Sequence, residues 1–307
     1  MARPPSLQGI WAPLVTPVDE GLAIDGPRLA AHAQRVLAEG CQGVVLFGTT
    51  GEAPSFAVAQ RQAALEALLD AGVQCERIVV GATACALSDA VALSLHALQC
   101  GVDHVLVMPP FFFRHVDDEG LIAYFTALLQ RLPPGRPRLL LYHFPKMSGL
   151  AITLPVILAL RQRFGVSVAG LKDSSGDPEQ LALFAGALDG VALFPGTERL
   201  LLRGLQLGAA GCISATANLN AAAQARLFRR HLEGGADLRA EQNALDRQRQ
   251  VLERWPLAPA LKAVLALRDR DDGWRRVCPP LASLSSDDAR TLLEELSCAG
   301  MAWSAGA

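Results

Sequence analysis

The sequence has little tyrosine, little lysine and almost no net charge. Of its 307 residues two are tyrosine against eleven phenylalanine, and of the 28 basic residues three are lysine (Lys146, Lys172 and Lys262), leaving 25 arginines. Its 30 acidic residues bring the formal charge to -2, scattered along the chain, which gives no field to hold a polyanion or an anionic membrane, so neither nucleic acid nor membrane is an expected partner. No stretch of about 18 or more apolar residues runs without a charged or polar break, which argues against a membrane-spanning helix. The opening Met-Ala-Arg-Pro-Pro-Ser-Leu carries one positive charge and no apolar core before Gly9, so no export leader is read and a cytoplasmic location is expected. Cys41, Cys75, Cys85, Cys100, Cys212, Cys278 and Cys298 form no C-x-x-C pair and have no histidines at zinc spacing. They read as small hydrophobes in a reducing compartment, with no metal expected.

What is present is a globular composition, 51% hydrophobic and 19% charged. Short apolar runs bounded by Gly or Pro recur at Gly9–Val15, Gly43–Gly48, Ile78–Thr83, His104–Pro109, Arg138–Pro145, Val166–Lys172, Ala192–Thr197 and Gly211–Ser214, and none alternates, as expected of strands buried on both faces. Helix-period segments separate them. Ser55 is the expected cap of a helix over Phe56–Ala71 with Gly72 past its end, Ser88 caps a run ending before Gly101, and Thr153 caps Leu154–Phe164, stopped by Gly165. Pro178 opens a helix over Glu179–Leu188, and an eighth helix spans Asn220–Leu232. Eight strand–helix units close most economically as an α/β (β/α)8 TIM barrel over residues 1–232. Residues 233–307 read as a C-terminal helical extension, with segments near Leu238–Leu252, Ala258–Arg268 and Ser286–Leu296 and no strand between them.

In such a barrel the carboxyl ends of the strands face the site. The second strand runs into Phe47-Gly48-Thr49-Thr50-Gly51-Glu52, either a carboxylate cradle built from freed amides and two hydroxyls or a capped strand-to-helix turn. The sixth ends at Lys172. In a chain that uses arginine so habitually, a lysine there points to an amine that can lose its proton and attack a carbonyl, or else to a partner of Asp173. Tyr142 closes the fifth strand, as a proton shuttle or as a rim aromatic. His143, next to it, falls on the opposite face of a regular strand. Together, Thr-Thr, Tyr and Lys on three strand ends indicate imine chemistry on a 2-oxo acid.

These residues, with the opening Gly9-Ile10-Trp11-Ala12-Pro13-Leu14-Val15-Thr16-Pro17, Tyr142-x-x-Pro145, Gly170 to Asp177 and Gly211 to Asn218, make the chain resemble the pyruvate-dependent Schiff-base aldolase family that contains dihydrodipicolinate synthase and N-acetylneuraminate lyase. The resemblance implies that Lys172 forms an imine with pyruvate without metal or organic cofactor. It implies that Thr49 and Thr50 hold the pyruvate carboxylate, and that Tyr142 shuttles the proton while bonded to a threonine of that pair. Gly48, Gly51, Ser174, Glu198 and Ile213 are the further substrate-binding residues it implies, Ser174 and Glu198 where a sugar hydroxyl is held, with an acidic first-turn residue as the other reading of Glu198. The partners implied are pyruvate and an aldehyde, in a homodimer or homotetramer.

The chain also departs from the family. Where the synthase has an arginine five positions after its tyrosine, Met147 stands here, with Lys146 one residue earlier, and where the synthase has a pair of tyrosines after the fourth strand the sequence is Phe111-Phe112-Phe113. An aldehyde without charge is therefore expected, and cleavage of a 2-oxo-3-deoxy sugar acid or other 4-hydroxy-2-oxo acid is expected over condensation with aspartate semialdehyde. The true synthase, a dehydratase of 2-oxo-3-deoxy sugar acids and a non-catalytic pyruvate-binding paralogue are the alternatives.

Overall fold

The computed structural model describes residues 7–301. Residues 1–6, on which the reading of the leader rests, and residues 302–307 lie outside the described part.

All eight expected strands are present: β1 (Gly9–Pro13), β2 (Gly43–Leu46), β3 (Ile78–Gly81), β4 (His104–Val107), β5 (Arg138–His143), β6 (Val168–Asp173), β7 (Ala192–Pro195) and β8 (Gly211–Ile213). Each pair is parallel, in the order β7-β6-β5-β4-β3-β2-β1-β8, and at the remaining seam the Ala210 amide donates to the Leu193 carbonyl at 2.8 Å. The sheet thus forms a TIM barrel. The helices α1 (Gly26–Ala38), α2 (Val58–Asp70), α3 (Leu87–Gln99), α4 (Asp118–Leu129), the short α5 (Pro145–Ser148), α6 (Leu154–Phe164), α7 (Pro178–Ala187), α8 (Leu201–Gln206) and α9 (Ala217–Leu232) follow the strands. Then come α10 (Arg239–Leu252), α11 (Leu257–Asp269) and α12 (Ser286–Cys298). Among the described residues no helix is long and apolar enough to cross a membrane.

Two expected caps are corrected. Ser55 lies in a separate 3-10 turn, and α2 starts after Ala57, whose amide donates to Gln60 Oε1 at 3.0 Å, so a glutamine reaching back does what the serine was expected to do. Ser88 is inside α3, which starts one residue earlier. Thr153 caps α6 by accepting from the Val156 amide, and Asp177, next to Pro178, caps α7.

Two separate cores share the load. One lies between the sheet and its helices, and the other fills the barrel with Trp11, Val45, Val79, Leu106, Leu140, Tyr142, Phe194 and Ile213. A third cluster joins the last helices to the barrel's carboxyl end, where Val15, Ala215 and Leu219 pack with Leu252, Leu261, Val264, Leu292 and Leu296. Burial of that surface places α10 and α11 over the strand ends.

The β5–β6 ladder contains one irregularity. Leu139 pairs with Val168 but Leu140 with Gly170, leaving Ala169 as an extra residue in β6. Beyond it Tyr142 pairs with Lys172 and His143 with Asp173.

Candidate active site

Because side chains alternate across a strand, the paired residues Tyr142 and Lys172 share the inner face and His143 and Asp173 the outer one. Lys172 is buried, with Nζ 4.3 Å from the centre of the Tyr142 ring, and among the described residues it makes no ion pair. The pairing of Lys172 with Asp173 is therefore absent. Asp173 is itself buried, not a surface partner: its Oδ1 accepts from the Ser175 amide at 3.0 Å, and His143 Nε2 stands 3.9 Å away. Burial pushes the Asp173 carboxyl up and the His143 imidazole down, and His143 Nδ1 accepts from the Ile152 amide at 3.0 Å. His143 fastens the loop after α5 to the outside of the barrel.

Opposite the lysine, the turn after β2 begins at Phe47 (φ 55°) and ends at Glu52 (φ 54°), both left-handed although neither is glycine. Amides of Gly51, Glu52 and Ala53 close the turn on Gly48 and Thr49 carbonyls, whereas those of Thr49 and Thr50 are not used within it. Thr49 Oγ1 and the Tyr142 hydroxyl are 3.1 Å apart in a hydrogen bond. Thr49, Thr50, Tyr142, Lys172 and Ser174 line one cavity of about 210 Å³ at the mouth of the barrel. Gly196 lets Ser174 into it: a Cβ at Gly196 would stand 1.9 Å from the serine Oγ.

The other expected contacts lie elsewhere. Glu198 has no exposed surface and lies beside the cavity instead of lining it, hydrogen-bonded by Ser214 and 3.7 Å from Arg249 Nη1. It is in the first turn after β7, the second of its two readings. Ile213 is part of the barrel filling. Gly51 is buried where a Cβ would come within 2.8 Å of the Leu14 carbonyl, and Gly48 borders a small apolar space behind Thr49 and Tyr142 that Phe111 also lines. Met147 is 52% exposed and outside the cavity lining. Phe112 and Phe113 are exposed as well, so of the three phenylalanines only Phe111 approaches Tyr142.

Of one wall of the cavity, sequence reasoning marked Lys146 alone. Lys146, Arg249, Glu253 and Leu257 line it, the last three contributed by or next to α10 and α11. Gln242 seats α10 by donating to the Glu198 carbonyl at 2.8 Å and accepting from the Leu202 amide at 2.9 Å. A signal did exist: Arg249 is four residues from Leu245 and seven from Gln242, on the buried stripe of an amphipathic helix, where an arginine needs a reason. A group of potential metal ligands, Glu66, His96 and Cys100, belongs to the outer face of α2 and α3 and not to this cavity.

The chain matches the dihydrodipicolinate synthetase family over residues 6–299. It is 36% identical over 295 residues to an uncharacterized DapA-like lyase of Chloroflexus aurantiacus, covering 95% of this chain and 96% of the relative. It is 35% identical over 212 residues to the 4-hydroxy-tetrahydrodipicolinate synthase of Thermus thermophilus, covering 69% of each. The crystal structure of dihydrodipicolinate synthase from Agrobacterium tumefaciens superposes with a TM-score of 0.85 at 31% identity, over 94% of this chain and 98% of that one.

Proposed function

Since the chain belongs to the dihydrodipicolinate synthetase family of class I aldolases and lyases, we propose that it makes or cleaves a carbon–carbon bond next to pyruvate through an imine on Lys172, acting on a 4-hydroxy-2-oxo acid such as a 2-oxo-3-deoxy sugar acid. The observation that carries this reading is the register pairing of Tyr142 with Lys172 on the face that looks into the cavity, with Thr49 bonded to the tyrosine.

In the cleavage direction the neutral Lys172 amine attacks C2 of the substrate, and loss of water gives a protonated imine. The substrate carboxylate lies on the Thr49–Thr50 turn, held by hydroxyl and amide donors. Tyr142 takes the proton of the C4 hydroxyl, the C3–C4 bond breaks, the aldehyde leaves, and the bonding electrons pass into the imine as an enamine. Protonation at C3 and addition of water release pyruvate and the free amine. Condensation is the reverse, and loss of a C3 proton from the same imine, in place of C3–C4 cleavage, would give an enamine that keeps C4 and expels the C4 hydroxyl as water, the dehydratase reaction.

Borohydride reduction with pyruvate tests the reading. One reduced pyruvyl group should appear on the peptide containing Lys172, and undiminished labelling of Lys172→Ala would remove the lysine from this role. We place the enzyme in the cytoplasm, in keeping with seven free cysteines, and as a homo-oligomer. A support for the latter is the edge-to-face pair of Phe112 and Phe113, 76% and 72% exposed, which a second copy of the chain would cover.

A further inference from the structure

The absence of an arginine at position 147 argues for an uncharged aldehyde only if no other cation takes its place. Met147 is turned to solvent, and the cavity wall carries Lys146 and Arg249 instead. Lys146 has no hydrogen bond and no ion pair among the described residues. Arg249 is fixed by its Nε, which donates to Glu253 Oε1 at 2.9 Å, while neither Nη group donates to anything and Nη1 is buried. Nη1 faces the buried Glu198, so the donors left for a ligand in the cavity are those of Nη2.

Two carboxylates pair with Arg249 and offset part of the positive charge, but among the described residues they leave its Nη2 and Lys146 without a partner. Glu253 is shared between Arg249 and Arg199, whose Nη1 is 3.2 Å from Glu253 Oε2, and Glu198 is buried under the Ser214 hydroxyl, 3.7 Å from Arg249 Nη1 and not in hydrogen-bond contact with it. With Lys172 converted into the imine, two cations and one doubly bridged carboxylate remain in the wall. Between that wall and the lysine, Ser174, Ser175 and Thr197 line the cavity with hydroxyls.

Resting on the Schiff-base reading above, we propose that the aldehyde half of the substrate is a hydroxylated chain ending in an anion, a carboxylate or a phosphate, that Lys146 and Arg249 bind. Arg249, held in place through its Nε, offers its Nη2 donors to an oxygen of the acid group, and Lys146 adds a point charge at the rim.

The test uses pairs of aldehydes that differ in the terminal charge, each condensed with pyruvate: succinic semialdehyde against butanal, and glyceraldehyde 3-phosphate against glyceraldehyde. In each reaction the enamine carbon bonds to the aldehyde carbon and the aldehyde oxygen takes up a proton. The intact enzyme should prefer the charged member of at least one pair by tenfold or more in kcat/KM, and the pair that shows the preference tells carboxylate from phosphate. In Arg249→Gln and in Lys146→Met that ratio should fall at least tenfold, the second variant sitting at an exposed position that leaves folding intact. A ratio near one in the intact enzyme overturns the proposal, as does an equal loss on both members of each pair, which would give Arg249 a purely structural role. Borohydride trapping on the same preparations separates the two readings. Trapping without charge preference defeats only the anion site, whereas no trapping at Lys172 defeats both.

Discussion

Glu52, which closes the threonine turn, and Lys262 in α11 form an ion pair in which neither side chain has any exposed surface. Lys262 also donates to the Arg276 carbonyl at 2.9 Å, and Glu52 Oε2 accepts from the Cys278 amide at 3.0 Å. Burial pulls the Lys262 ammonium down from its ordinary range, and the adjacent Glu52 opposes that shift. The C-terminal helices thus hold the turn that carries Thr49 and Thr50.

Lys262→Met leaves Glu52 charged and without its cation. Unfolding in urea should show a loss of about 3–5 kcal/mol, and pyruvate KM should rise as the turn loosens. Adding Glu52→Gln should recover part of the stability. If the single variant is as stable as the parent, the pair does not hold the turn.

Tyr142→Phe deletes one hydroxyl from a packed position. Turnover should fall by about two to four powers of ten, as for a lost general acid or base, with the melting temperature nearly unchanged. Near-normal turnover would assign the proton transfer to another group.

In Thr50→Val the shape is kept and a donor is lost. Pyruvate should bind more weakly by about 1.5–3 kcal/mol, the range for a hydrogen bond to a charged group. Unaltered affinity, measured by titration of the trapping reaction, would leave the turn a structural one.

His32 is one source of pH dependence, beside His104 and His143, which burial shifts in the same direction. Its Nε2 donates to Asn218 Oδ1 at 2.7 Å and its Nδ1 accepts from Arg35, so the ring is held neutral, and burial lowers its pKa to about 4. A depressed folded pKa means that the unfolded chain binds the proton more tightly. The associated stability is therefore complete above the unfolded value, near 6.5, and is lost as pH falls toward 4, by about 3 kcal/mol in all. His32→Gln should flatten the stability curve across that interval relative to the parent, and an unchanged slope would assign it to other groups.

Phe112→Ser together with Phe113→Ser should increase the share of the smaller species in light scattering if the pair lies between subunits. The same mass as the parent would remove it from the interface.

The barrel was legible because apolar runs buried on both faces, punctuated by Gly and Pro, are a local signal. The reactive lysine and tyrosine stood out by scarcity. Contacts between distant parts of the chain leave a weaker trace: nothing near Lys262 in the sequence names Glu52 as its partner, and Arg249 is marked only by its place on the buried stripe of α10. Glu198 stands in the first turn after β7, as the second of its two readings has it, but nothing local says that its carboxylate is covered from above by a helix some 50 residues later. Ser55 and Ser88 failed as caps because Gln60 could close α2 from within and α3 begins at Leu87, two residues before the start that a Ser88 cap would set.

The extra residue at Ala169 makes the chemistry of the site a matter of counting. Paired without a break from Leu139–Val168 onward, the strand would set Ala169 against Leu140 and Leu171 against Tyr142, and Lys172 would fall opposite His143 on the face that looks outward; the extra residue moves the lysine back by one place, onto Tyr142. Loss of a residue beyond it, such as Leu171, would put Lys172 opposite Leu141, one of the side chains packed outside the barrel. Such a chain could keep most of its fold while having no amine to offer. Between Ala169 and Lys172, substitution is a graded injury and a one-residue deletion a total one.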